Sequence, residues 1–190
     1  MFAEVLRQKL AGICELSDPQ ADVLAAHYDL LVKWNKVLNL TAVRSLEEAV
    51  ERHYCESVFL AMHLPEMPIS VVDIGSGAGF PGIPVAVVRP HSMVTLVESH
   101  QRKAVFLREA SRDLSNVRVI ARRAEDTPDG FDWVVSRAVK YSEIAIALKK
   151  LGHSAELLTG EVRARDLPGF NWQEPIRLPW GEHRYLWISE

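Results

Sequence analysis

A chain of 190 residues, 48% hydrophobic and 25% charged, has the composition of a globular protein with one full core, and no run of about 18 apolar residues occurs to span a membrane. Its 22 basic and 25 acidic residues give a formal net charge of −3, which excludes coating nucleic acid by bulk charge but leaves room for a local basic face. Two isolated cysteines, Cys14 and Cys55, exclude a disulfide framework or structural zinc site, so no metal and a reducing, cytoplasmic setting are expected.

Met1 to Leu16 mixes charged and apolar residues and lacks the basic-then-apolar plan of a secretory signal. From Pro19 to Val43 apolar residues recur near the 3.6-residue period, and Ser17-Asp18-Pro19 supplies a cap with proline in the first turn. Ser45 followed by Glu48 reads as a capping box opening a helix that passes His53 and ends near Met62. Pro65-Glu66-Met67-Pro68 breaks the pattern. We therefore expect residues 1–68 to form a helical extension and residues 69–190 a compact α/β core.

In that core, strands are expected at Val71–Ile74, Val94–Glu98, Val117–Ala121, Phe131–Ser136, Glu156–Gly160 and Tyr185–Ile188. Helices are expected at Pro81–Val88, His100–Leu114 and Ser142–Leu151. Short strands alternating with helices predict a doubly wound, mostly parallel, Rossmann-like sheet.

The first strand runs into Asp73-Ile74-Gly75-Ser76-Gly77-Ala78-Gly79. Glycines after a buried strand let the backbone turn sharply and approach a ligand closely. Gly77, Gly79 and Gly82 also satisfy the dinucleotide pattern G-x-G-x-x-G, a weak signal alone. Gly75 already ends the strand, however, and Asp73 stands two residues before it. A carboxylate there suits a cationic ligand group, or fixes loop amides, and would repel a pyrophosphate. S-adenosylmethionine, with an ammonium, a sulfonium and no phosphate, fits better. Glu98 closes the second strand, where it can accept hydrogen bonds from ribose hydroxyls. Ala124-Glu125-Asp126 follows the third strand, where an adenine-contacting loop is expected. Between Arg102 and Arg123 lie seven basic residues and two acids, a candidate phosphate-binding face that includes Arg102, Lys103, Arg122 and Arg123.

Several segments together are specific. They are Trp34-Asn35, Asn39-Leu40-Thr41-Ala42, Arg52-His53, the run Asp73 to Gly79 with Phe80-Pro81-Gly82-Ile83-Pro84, Glu98-Ser99, Lys103, Phe106-Leu107 and Ser136-Arg137-Ala138-Val139. This set resembles the bacterial small-subunit ribosomal RNA guanine-N7 methyltransferase family, also known as glucose-inhibited division protein B. The resemblance implies the class I methyltransferase fold and S-adenosylmethionine contacts at Gly75, Phe80, Ala124, Glu125 and Arg137, beside Asp73, Gly77, Gly79 and Glu98. It implies methylation of one guanine at N7 in 16S ribosomal RNA, as naked RNA or small subunit, by a cytoplasmic monomer. RNA contacts are expected at Arg52 and His53 and on the basic face. The chain departs from the family pattern at Glu56-Ser57, where Asp-Ser is usual, at Thr159-Gly160, where Lys-Gly is usual, and in a short C-terminal region.

Guanine N7 exposes a lone pair and carries no proton, so its attack on a methyl group needs no general base. Alignment and close approach supply the rate instead. Arg137 cannot be a base. It is the candidate catalytic residue as an anchor for the cofactor carboxylate, a phosphate or the guanine edge. The rival readings are a noncatalytic RNA- or ribosome-binding module that kept the fold, and an NAD-dependent oxidoreductase.

Overall fold

The structure, a computed structural model, describes residues 1–137, 141–160, 167 and 169–189. Ala138 and Val139 of the family-like segment, and the tail from Glu161 to Arg165, lie outside the described residues.

Four helical segments precede the sheet: α1 (Phe2–Leu10), α2 (Asp18–Leu38), α3 (Leu46–Ala49) and α4 (Glu56–His63). Helix α2 begins with a complete capping box, in which Ser17 accepts from the Gln20 amide while the Gln20 side chain bonds back to the Ser17 amide. It stops at Leu38, five residues before the expected end. Asn39 there adopts the left-handed conformation (φ 48°), and the Asn35 amide reaches past the helix end to grip both backbone groups of Thr41. Ser45 caps the Glu48 amide, but the Glu48 carboxylate pairs with Arg52 instead of closing the box. Between α3 and α4 the helix widens into a π-helical turn, Val50–Cys55, a feature frequent at functional sites. It carries His53.

The strands are β1 (Ser70–Ile74), β2 (Met93–Val97), β3 (Val117–Ile120), β4 (Phe131–Arg137), β5 (Gly152–Thr159), β6 (Ile176–Arg177) and β7 (Tyr185–Ile188). They form one sheet in the order β3-β2-β1-β4-β5-β7-β6, parallel through β5, with β7 antiparallel to both neighbours. Helices α5 (Gly82–Val88), α6 (Gln101–Ala110) and α7 (Tyr141–Leu151) are the crossovers. The expected α/β architecture is thus present, with two element-level differences. Strand β5 begins at Gly152, four residues earlier than expected. Gly152 is no turn residue: a Cβ there would lie 2.5 Å from Val134 Cγ2 on β4, so the glycine permits close strand pairing. Strand β6 is two residues long, too short for any period.

Alternate residues of the strands feed two cores. Val71, Leu96, Val135 and Leu158 face one side, where Leu6, Leu24, Tyr54, Ile83 and Phe106 from the helices meet them. Val72, Ile74, Val134 and Leu157 face the other, under Leu148 and Leu151 of α7. The first core is shared by the N-terminal helices and the sheet. Strand order reverses between β1 and β4, and the crevice at their carboxyl ends is where ligands gather in open α/β sheets.

Candidate active site

The glycine loop fills that crevice. Gly75, Gly77 and Gly79 all have positive φ (71°, 53° and 91°), conformations other residues enter only under strain. The Gly75 and Ser76 amides donate to Val97 O and tie the loop to β2. The Gly77 amide donates to Glu98 Oε2 at 2.9 Å, and the other Glu98 oxygen accepts the His100 amide at 2.8 Å. Glu98 therefore orients the loop, with lone pairs left on both oxygens for a ligand.

Asp73 lies beneath the loop, fully buried. Its Oδ2 accepts the Gly82 amide at 3.0 Å, and among the described residues Oδ1 has no hydrogen-bond partner. Burial pushes its carboxyl up to about 7. Of the two roles open from sequence, the geometry shows the fixing of a backbone amide, that of Gly82 where the loop enters α5. The other amides that would cradle a pyrophosphate are also spent internally: Gly79 and Phe80 donate to Ser76 O, and Ile83 to Gly79 O. Pro81 and Pro84 have no N–H. A pyrophosphate would thus find few donors in the loop, which weighs against the oxidoreductase reading.

In front of the loop is a cleft of about 290 Å³ lined by Leu40, Thr41, His53, Gly75–Ala78, Phe80, Lys103 and Arg137. Arg137, at the end of β4, donates from Nη1 to His53 Nδ1 at 2.5 Å, and its Nε lies 3.5 Å from Glu56 Oε2. Because His53 Nδ1 accepts, the ring proton sits on Nε2, which donates to Thr41 Oγ1 at 2.7 Å. The imidazole stacks on Phe80, with centroids 4.7 Å apart. Desolvation, then the charge of Arg137, lowers its pKa to about 3, so His53 is neutral at working pH. It orients Arg137 and is no general base.

A second buried histidine braces the loop from behind. His27 on α2 accepts from the Tyr54 hydroxyl at Nδ1 (2.9 Å) and donates from Nε2 to Ala78 O (3.0 Å). Burial lowers its pKa to about 4. Both histidines have depressed folded-state values, so the stability they give is present above about pH 6.5 and lost as pH falls toward 4 and 3. The buried carboxyls Asp73, Glu56 and Glu156, raised mainly by desolvation, act in the opposite sense. A comparison of wild type with His27→Gln isolates the histidine. The stability gap between them should narrow by about 2 kcal/mol from pH 7 to pH 5. Chemical denaturation at both pH values measures it, and a constant gap would mean that His27 is not held neutral.

Of the residues expected from sequence, Gly75, Gly77, Phe80, Arg137, His53 and Lys103 line the cleft. Asp73, Gly79 and Glu98 do not line it: Asp73 lies beneath the loop, Gly79 belongs to the loop, and Glu98 holds the Gly77 amide. Ala124 and Glu125 form a 3₁₀ turn after β3, Ala124 buried and Glu125 exposed. Arg102, at the start of α6, and Arg122 and Arg123, after β3, are exposed. Arg52 is not brought to the cleft: it pairs with Glu48 at 2.7 Å and lines a separate groove with Lys9, Trp180 and Arg184. Sequence reasoning missed Thr41, His27, Glu56 and Arg184. Thr41 stood inside a family-like segment and Glu56 was noted as a departure, whereas nothing in the sequence marks Arg184.

Comparison with known proteins agrees with this geometry. A SAM dependent methyltransferase from Aquifex aeolicus superposes with a TM-score of 0.60 at 14% identity, over 84% of this chain and 97% of that one. The fibrillarin pre-rRNA processing protein of Methanococcus jannaschii gives 0.58 at 12%, over 72% and 74%. These likenesses show the fold, the Rossmann-like methyltransferase architecture. Ribosomal RNA small subunit methyltransferase G of Methylobacillus flagellatus is 45% identical over 157 residues, 78% of this chain and 75% of the relative. The protein of that name from Chromobacterium violaceum is 40% identical over 153 residues, 78% and 72%. Residues 20–159 match the family described as rRNA small subunit methyltransferase G, so both the loop and the helices that face it fall within the match. The chain belongs to that family.

Proposed function

We propose that this chain transfers a methyl group from S-adenosylmethionine to N7 of a guanine in small-subunit ribosomal RNA. The observation that carries the reading is the wiring of the cleft: Glu98 holds the Gly77 amide on one side, and His53 holds Arg137 on the other. The residues present fit the cofactor. Glu98 keeps acceptor lone pairs for a ribose, its carboxylate favours a cationic ligand, and most of the loop's amides are already bonded within the protein, leaving few for a phosphate. When bound, S-adenosylmethionine supplies an electrophilic methyl group on a sulfonium. The protein's part is to align N7 with it and exclude water. Since N7 carries no proton, neutral His53 has no proton to accept, and its neutrality adds no positive charge beside a base that becomes cationic. Lys103 on the cleft wall, with Arg102, Arg122 and Arg123, is proposed to meet RNA phosphate, and Ala124 and Glu125 the adenine. Residues 1–68 serve as the extension that completes the substrate side of the core 69–190. A cytoplasmic monomer acting on the RNA or the assembled small subunit completes the proposal.

Calorimetry tests the cofactor. S-adenosylmethionine should bind and NADH should not, and the absence of any heat with S-adenosylmethionine would favour a noncatalytic RNA-binding module. Glu98→Ala should weaken S-adenosylmethionine by about 1.5–3 kcal/mol, the scale of hydrogen bonds to a charged group. S-adenosylhomocysteine, with the same ribose, should lose a similar amount. A loss confined to the methylated cofactor would show that Glu98 senses the sulfonium instead.

A further inference from the structure

We propose that Glu56 is a positioning residue for Arg137 and that Arg184, from the C-terminal part of the chain, completes the buried charge cluster that makes this possible. The inference rests on the reading that Arg137 serves the cleft. Glu56 is fully buried at the start of α4. Its Oε2 lies 3.5 Å from Arg137 Nε, behind the cleft wall. Arg184 grips both oxygens of the same carboxylate, Nε to Oε1 at 2.5 Å and Nη2 to Oε2 at 2.6 Å.

A carboxylate taken out of water is costly unless its charge is matched. Arg184 matches it with one charge-assisted hydrogen bond, from Nη2 to Oε2, and an ion-pair contact at Oε1. Glu56 then presents negative charge to the inner edge of Arg137, while His53 accepts from Nη1. Two neighbours acting on different nitrogens of a planar group fix both its direction and its tilt, which one contact does not. Arg184 directly precedes β7, which pairs with β5 beside β4. The sheet's C-terminal edge is thereby linked, through one carboxylate, to the cleft. A pair serving only the fold would need Glu56 and Arg184 alone. Here the oxygen nearest Arg137 is one that Arg184 already holds.

The test compares Glu56→Gln with Arg137→Ala in the full chain, measuring S-adenosylmethionine affinity by calorimetry and kcat at saturating cofactor and RNA. Glu56→Gln should impair whichever of the two quantities Arg137→Ala impairs, by about ten- to a hundredfold, and leave the other within about twofold. Combining the two changes should add little to Arg137→Ala alone. Should Glu56→Gln fail to fold, Glu56→Asp carries the comparison: it keeps the charge, shortens the reach by one methylene, and should show a smaller loss in that same quantity. Wild-type behaviour of the Glu56 variant beside an impaired Arg137→Ala overturns the positioning role and leaves the reading of Arg137 standing. A loss in a quantity that Arg137→Ala spares, or one that persists when Arg137 is alanine, also overturns it, since that is the mark of a structural role. An unimpaired Arg137→Ala overturns the underlying reading itself.

Discussion

Replacing Arg137 by lysine should lower methyl transfer by about a hundredfold or more while the fold and the positive charge remain. The guanidinium meets His53 through Nη1 and Glu56 through Nε, so its plane is set before any ligand arrives. A lysine ammonium is a single point with no plane to set, and it cannot satisfy His53, face Glu56 and still address a ligand in paired geometry. One hydrogen bond of a charged group, worth about 1.5–3 kcal/mol, together with the lost ion-pair contact to Glu56, corresponds to a loss of that size. Arg137→Ala should lose at least as much. If cofactor affinity falls in parallel with rate, Arg137 binds the cofactor. If affinity holds and the rate at saturating RNA drops, it positions the guanine. Full activity of the lysine variant at saturating cofactor and RNA would reduce Arg137 to a diffuse positive charge.

Gly77→Val should weaken S-adenosylmethionine by about tenfold or more without unfolding the protein. The protein itself has room for the change: a Cβ at Gly77 meets nothing nearer than Gly75 O at 3.7 Å. The cost arises elsewhere. At φ 53° a residue with a Cβ is strained by about 1–2 kcal/mol, and a β-branched one is the least adaptable. Relief of that strain would move the amide that donates to Glu98. The valine side chain would also project beside the cleft the loop helps to line. A modest drop in Tm with a large drop in affinity is the expected signature, with Gly77→Ala intermediate. Unchanged affinity in a folded Gly77→Val protein would remove the loop from the site.

The alternation of strands and helices was legible because the inner strands β1, β2 and β4 pair with parallel neighbours on both sides and are apolar on both faces, as at Val71-Val72 and Val134-Val135. The glycine loop was legible because backbone geometry demands a residue type. The early end of α2 was not, since it depends on Asn35 reaching across to Thr41. The start of β5 was hidden because Gly152 resembles a turn residue until Val134 is known to lie against it. His53 illustrates the limit at the site. The resemblance marked it as an RNA contact, whereas in three dimensions it is buried against Phe80 and orients Arg137. Arg184 was invisible, because an arginine near a chain end gains meaning only from the buried Glu56 opposite it. Charge partners distant in sequence leave no period and no spacing to read.

Methyl transfer to N7 of a ribosomal guanine is directly measurable. Small-subunit RNA, free and in the assembled particle, is taken from cells lacking this protein and incubated with it and methyl-labelled S-adenosylmethionine, and the modified base is then mapped. Label is expected at a single guanine, at N7, and is lost with Arg137→Ala. Label at a position other than guanine N7, or none on either form of the RNA from a protein that binds the cofactor, would contradict it.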